Sequence, residues 1–374
     1  MDERALAERL VAYDTSTGEG IQSAAEFVRG WLEARDIRVR EARHRSLPVL
    51  VAEVGAVEGP AVVFHAHVDV VPARPGQFEP RVEGDRLIGR GAYDMKGGLA
   101  AMMCAVADTA EQSAVRVVFM CVPDEESEDV VSRSTDMLLA EGLRADFAIT
   151  GEPTDLHIGI QAKGVLAITV ELSGRAAHGS TPWLGDNAIL KAYEAFRRME
   201  TLPFTRESSE LFERPSINLA RIHGGDAFNK VPDSCVMDVD IRYLPTQDPG
   251  QILAELRGIP DLEVKASFSH APANVPPGNP YVVALREAVA GSTGRDVLSV
   301  GRDGASDAIC FVEVGIPAVE FGPVGAGHHG PEEWVSLSSL ARYREALRDF
   351  VHGLPACLAR SGSGLRAVEG GRAS

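Results

Sequence analysis

Residues 61–72 read AVVFHAHVDVVP. The first six are apolar except for one histidine, and the run closes on His67 and Asp69. A short unbroken apolar stretch is the mark of a strand covered on both faces, which is the environment of a parallel sheet. Residues 115–127, VRVVFMCVPDEES, repeat the plan: a β-branched run, then Asp124, Glu125 and Glu126. FAIT (147–150) leads into GEPT (151–154), and PAVEF (317–321) leads into GPVGAGHHGPEEW (322–334). Helical spacing of apolar residues separates these runs, at 3–13, 21–35 and Met95–Thr109. Strands alternating with helices predict an α/β unit with a mostly parallel sheet, and such sheets present ligands beyond the carboxyl ends of their strands.

The middle of the chain has a different rhythm. Val165–Leu172 alternates with period two, as a sheet with one wet face does. A helix near 186–200, strands near 216–223 and 235–243, a helix near 249–257 and a strand near 262–268 complete the order β-α-β-β-α-β, the ferredoxin-like pattern. Residues 163–272 are therefore expected to form an inserted domain. The proline-rich HAPANVPPGNP (270–280) brings the chain back, so that 1–162 and 273–358 make one discontinuous domain. Residues 359–374 are expected to be a tail without structure.

Composition narrows the partners. There are 37 basic and 54 acidic side chains, a net charge of −17, which argues against tracking nucleic-acid phosphates or adhering to anionic lipid. No run of about 18 apolar residues suggests a membrane span. The acidic, amphipathic start MDERALAERLVAYDTST is unlike a secretory leader, so a cytoplasmic location is expected. The five cysteines are odd in number and scattered, and are expected to be reduced and buried.

The strand ends carry the chemistry. His67 and Asp69, two apart on a strand, face the same side, and Asp69 suits the second ring nitrogen of a metal-binding His67. Asp94 lies in GRGAYDMKGG (89–98), and Glu152 and one of His328 or His329 stand at further strand ends. Three successive carboxylates after a buried strand repel one another unless cations neutralise them. Carboxylates with imidazoles suit Zn²⁺ and similar ions. Two divalent ions (+4) balance Asp94, Glu126 and Glu152 (−3) with a bridging hydroxide (−1), the arrangement of two-metal hydrolysis. Glu125 is then left over to move the proton.

In this order and spacing, HxDVVP, GRGxxDMKGG, DEE, GEP and the late histidine resemble the M20 metallopeptidases, over roughly residues 1–355. That family includes acetylornithine deacetylase, succinyl-diaminopimelate desuccinylase and glutamate carboxypeptidase. The resemblance implies that Asp94 bridges two ions, with His67 and Glu152 on one and Glu126 and His329 on the other. His329 is preferred because the family histidine precedes a Glu by four positions, here Glu333. The resemblance also implies Glu125 as general base, Asp69 as the residue orienting the histidine, and a cis peptide before Met95. GRAAHGSTPWLGDNAI (174–189) resembles a lid segment whose histidine, here His178, reaches a partner subunit's site. Asn229 and Arg242 match residues that grip a substrate carboxylate, and Gly304 and Ser306 a turn that meets the substrate. The implied protein is a homodimer, paired through the lid domain. It would use Zn²⁺, or Co²⁺ or Mn²⁺, to cleave a small carboxylate-bearing amide in amino-acid metabolism. The substrate class is an N-acyl amino acid; a carboxypeptidase or dipeptidase is the alternative, and a non-catalytic binding relative a remote one. The chain departs from the family at SEDVVSRS (127–134), where glycines are usual, and at Ile309, often an Arg, so the acyl group is left open.

Overall fold

Val62, Val63, Phe64 and Ala66 are fully buried, and this all-apolar run places the strand Ala61–His67 in the interior of a sheet. The computed structural model describes residues 2–127, 132–260 and 262–369. Arg116–Val122 runs parallel on one side of Ala61–His67; Phe147–Thr150 and Ala318–Glu320 follow in parallel on the other. Beyond these four strands the pairing turns antiparallel, through Leu47–Gly55 and Val39–His44 on one flank and Ile158–Ala162 on the other. The parallel character read from the sequence thus belongs to the centre. Val39–His44 escapes the sequence reading because its charged residues blunt a sheet edge and carry no apolar pattern. A second small sheet, built from Arg81–Glu83, Arg86–Ile88, Gly325–Ala326 and Trp334–Ser336, also goes unread, since strands of two or three residues show no period.

Parallel strands deliver their carboxyl ends to one edge. His67, the Asp124–Glu126 segment and Glu152 emerge there. Helix Gly97–Asp108 packs against helices Glu3–Val11 and Leu337–Glu369, and every residue from Gly97 to Val106 is buried. Its small residues permit this closeness. A Cβ on Gly98 would lie 2.9 Å from the Gly151 carbonyl oxygen, so only glycine lets the start of this helix approach the segment carrying Glu152. The last helix does not stop where the sequence suggests. It continues through Glu369, because Leu, Arg, Ala and Glu extend an existing helix without a new nucleation cost and offset the Gly and Ser among them. Of the expected tail, only 370–374 lie outside the described residues. Among the described residues no helix is long and apolar enough to cross a membrane.

The chain divides into two compact units. The first comprises residues 1–160, 275–300 and those from 306 on; the second comprises 161–274 with 301–305. In the second unit the four strands are all antiparallel, in the order Ser216–Gly224, Ser234–Tyr243, Gly164–Ser173, Glu263–His270. With helices Ala188–Met199 and Pro249–Arg257 this is the β-α-β-β-α-β order that the sequence predicts. Leu166, Ile168, Val170 and Leu172 alternate into a core with Met237, Val239 and Ile241 and with Ala192 and Leu256 of the two helices.

Tyr243 closes that core. It is 1% exposed and its hydroxyl donates to the His270 carbonyl oxygen at 2.9 Å. A Cβ on Gly164 would lie 2.2 Å from the Tyr243 ring. Gly164→Ala should therefore overpack the second unit and destabilise it by about 1–3 kcal/mol, seen as a lower denaturant midpoint. A variant with the parent's midpoint would show that the ring moves freely.

Candidate metal centre

His67 ends its strand fully buried, and its ring is held from behind. Nδ1 lies 3.0 Å from the Asp69 main-chain oxygen and 3.5 Å from the Asp69 carboxylate, so the main chain is the shorter partner. Nε2 faces forward, 3.2 Å from Asp94 Oδ1 and 3.8 Å from Glu152 Oε1. On the other side of Asp94, His329 Nε2 is 3.5 Å from Oδ2 and 2.8 Å from Glu126 Oε1. Asp94 thus gives one oxygen to a group of His67 and Glu152 and the other to a group of Glu126 and His329. In each group the possible ligand atoms lie within 4.8 Å of one another. The Asp94–Met95 peptide is cis.

The carboxylate of Asp69 has work besides the histidine: it accepts the amides of Glu125 at 3.3 Å and Glu126 at 2.8 Å. Glu125 and Glu126 form a turn just past the strand, so one anchored turn supplies two carboxylates. Asp124 serves structure. It accepts the amide of Ser134 at 2.9 Å and the ring of His44 at 2.9 Å, fixing the start of helix Ser134–Ala140. Glu125 meets Arg133 Nη1 at 3.1 Å, and Arg133 also binds the buried Asp307, which in turn holds His65 at 3.1 Å. Sequence reading misses Arg133, Asp307 and His65 because their partners lie far away along the chain. It also passes over Arg90, whose pairing with Glu333 spans 243 positions.

The electrostatics follow from this crowding. Burial pushes the Glu125 carboxyl up to about 8, although His67 and Arg133 pull the other way. Burial likewise raises Glu152 well above the usual carboxylate range. Asp94 is also buried, but hydrogen bonds from His329 and His67 outweigh that and hold it well below its ordinary value. Hydrogen bonds to Asp94 and Glu126 raise His329 to about 10. Burial works against a charged His67, and its bonds to Asp69 and Asp94 together with the Glu152 charge reverse the sign.

These residues fit a pair of cations. Oε1 of Glu152 is buried and has no hydrogen-bond partner among the described residues. A buried acceptor of this kind costs free energy unless something else satisfies it. Two imidazoles and three carboxylates, one of them central, make the donor set that borderline divalent ions take.

The other predicted residues are not members of these groups. In the second unit His178 is exposed, with Nδ1 2.7 Å from the Ser180 hydroxyl. The neighbouring Gly179 donates to the Asn229 carbonyl oxygen at 2.7 Å, so the His178 and Asn229 loops meet. Arg242 is occupied by Asp240, with Nε 3.1 Å from both carboxylate oxygens. Gly304 is exposed. Ser306 is buried and its hydroxyl donates to Glu320 at 2.7 Å, so that bond braces the strand end.

Comparison with known proteins gives one consistent family. The model of peptidase family M20/M25/M40 matches residues 63–353. A succinyl-diaminopimelate desuccinylase of Gluconobacter oxydans is 32% identical over 325 residues, covering 82% of this chain and 84% of that protein. An M20 family metallo-carboxypeptidase from Sulfolobus solfataricus superposes with a TM-score of 0.78 at 20% identity, covering 95% of this chain and all of that one (100%). A dinuclear metal-binding M20 peptidase from Bacillus subtilis gives a TM-score of 0.65 at 17% identity, over 93% and 98% of the two chains.

The raised His329 gives a pH prediction. A histidine with a raised folded pKa contributes stability fully present below the unfolded value near 6.5 and lost as pH rises through about 10. A cation must displace that proton. Zn²⁺ binding to the metal-free chain should therefore release protons and tighten from about pH 7 to about pH 9, while metal-free stability falls. Calorimetry in buffers of different protonation enthalpy measures the release, and an affinity flat across that range would contradict the ionisation described.

Proposed function

Because the chain belongs to peptidase family M20/M25/M40, we propose that it hydrolyses the amide of an N-acyl amino acid, N-succinyl compounds among them, with two divalent ions at the paired groups around Asp94. The observation that carries the reading is the division of labour at the strand ends. Five side chains gather in two groups that share Asp94, and Glu125 lies close enough to His67 and Glu126 to form a third group with them, from which it can reach a bound water. When bound, such ions activate a water molecule and polarise the amide carbonyl. Zn²⁺ is the ion best suited to the imidazole-and-carboxylate donors, with Co²⁺ and Mn²⁺ as substitutes.

The roles of the chain's own residues follow. His67 and Glu152 hold one ion and Glu126 and His329 the other, with Asp94 shared. Asp69 keeps His67 and the Glu125–Glu126 segment in register. Glu125 takes the proton of the attacking water and hands it to the leaving nitrogen. Its environment suits both duties, since burial favours the protonated form and Arg133 the ionised one.

The second unit supports a homodimer. Ser216–Gly224 is an outer strand with one open edge. Leu190 and Tyr193 of helix Ala188–Met199 and Ile222 of that strand are 60%, 57% and 38% exposed. Apolar residues beside an open strand edge are what a self-complementary two-fold interface covers. In that dimer His178 would donate to the developing oxyanion of the partner's site, and Asn229 and Arg242 would meet the substrate carboxylate. All five cysteines are free and buried, which supports work in a reducing cytoplasm.

Zn²⁺-loaded protein should be screened on N-succinyl, N-acetyl and N-formyl amino acids and on dipeptides. Turnover of an acyl amino acid is expected, whereas activity on dipeptides alone would assign a peptidase. On the best substrate, Glu125→Ala should keep both metals and lose at least about 10²-fold in kcat, while Glu126→Ala should lose a metal. Equal metal loss would reverse the two assignments.

A donor aimed at an oxyanion contributes roughly 10²–10³ in kcat, so His178→Ala should be nearly inactive with metals in place. Mixing it with Glu125→Ala subunits under exchange should restore part of the activity, because a mixed dimer contains one site with both groups. Mixed dimers as inactive as either parent would rule out action in trans.

A further inference from the structure

We infer that the buried Arg90–Glu333 pair is a positioning element for the metal centre, fixing the bridging Asp94 and the ligand His329 relative to each other. The inference rests on the two-metal reading. Arg90 and Glu333 are 3% and 1% exposed, and Nη1 meets Oε2 at 2.7 Å. Neither partner is spent on the other alone. The second oxygen of Glu333 accepts the amides of Tyr93 and Asp94, each at 3.0 Å. Nη2 of Arg90 donates to the carbonyl oxygens of His329 at 3.0 Å and Gly330 at 3.1 Å. One ion pair therefore grips the main chain of both loops.

The His329 loop has the greater need of such a grip. Its backbone is left-handed, φ 61°, in a residue that is not glycine, and its side chain is 49% exposed. Little packing surrounds it, and left-handed backbone persists only where its surroundings impose it. The carbonyl groups of that turn are the ones Arg90 binds. His67 is secured by other means: full burial and the Asp69 main-chain oxygen. The pair thus bears unequally on the two groups, supporting Asp94 with His329 far more than His67 with Glu152. A charge-assisted pair that is rigid and dry suits the task, because removing one partner leaves the other as an unpaired buried charge.

The test is a Co²⁺ titration of the full chain against a chromophoric chelator, which gives a dissociation constant for each ion. In Arg90→Met/Glu333→Gln the amide acceptor is kept while both charges and the hold on the His329 loop are removed. One ion should bind as in the parent and the other about 10- to 100-fold more weakly. Arg90→Lys keeps the charge but loses the two-pronged reach, and should fall between. Two unchanged constants, or an equal loss at both, would overturn the inference. If the double variant fails to fold, Arg90→Lys decides alone, and parental constants there are equally fatal. A parent chain that binds fewer than two ions would instead defeat the two-metal reading.

Discussion

Asp94, Glu125, Glu126 and Glu152 are crowded into a half-dry edge where three parallel strands end. Like charges this close in a low-dielectric place must lose their charge, pair with cations, or stay apart by force. The protein uses each of these. Burial drives Glu125 and Glu152 toward protonation, the histidines keep Asp94 ionised, and main-chain hydrogen bonds fix the segments that would otherwise spread. A sheet whose centre is parallel makes the crowding possible, because only parallel neighbours release successive chain segments at the same edge. Helix Gly97–Asp108, buried from Gly97 to Val106, packs against the Asp94 segment.

Catalytic suitability and instability have the same origin here. A lone carboxylate in such surroundings would be a defect. Here the five side chains proposed as ligands meet around a buried Glu152 oxygen that has no hydrogen-bond partner among the described residues. The neighbours of Glu125 then divide into those that raise its affinity for a proton and those that lower it. This balance is what a group that first accepts and later returns a proton requires.

Much of this was legible in the sequence. Buried strands announce themselves by unbroken apolar runs, and acidic residues directly after such runs are out of place in a core, so His67, Glu125, Glu126 and Glu152 stood out. The residues alone left His328 and His329 open, and only the family resemblance, through Glu333, preferred His329; Glu333 accepts the amide of Asp94. Pairings across long separations were not legible. Arg90 with Glu333 and Arg133 with Asp307 join residues 243 and 174 positions apart, and no local pattern marks either. Arg242 and Ser306 show the reverse limit. Each matches a binding motif, yet in the chain by itself Asp240 and Glu320 engage them.

The anchoring of two successive amides by Asp69 bears on how freely this protein can vary. Glu125 and Glu126 are neighbours in covalent sequence, so their separation is dictated by bond lengths and angles, about 3.8 Å from one Cα to the next, and needs no tuning by distant packing. A single carboxylate then sets where both go. A change at Asp69 would therefore displace both carboxylates together rather than either one alone.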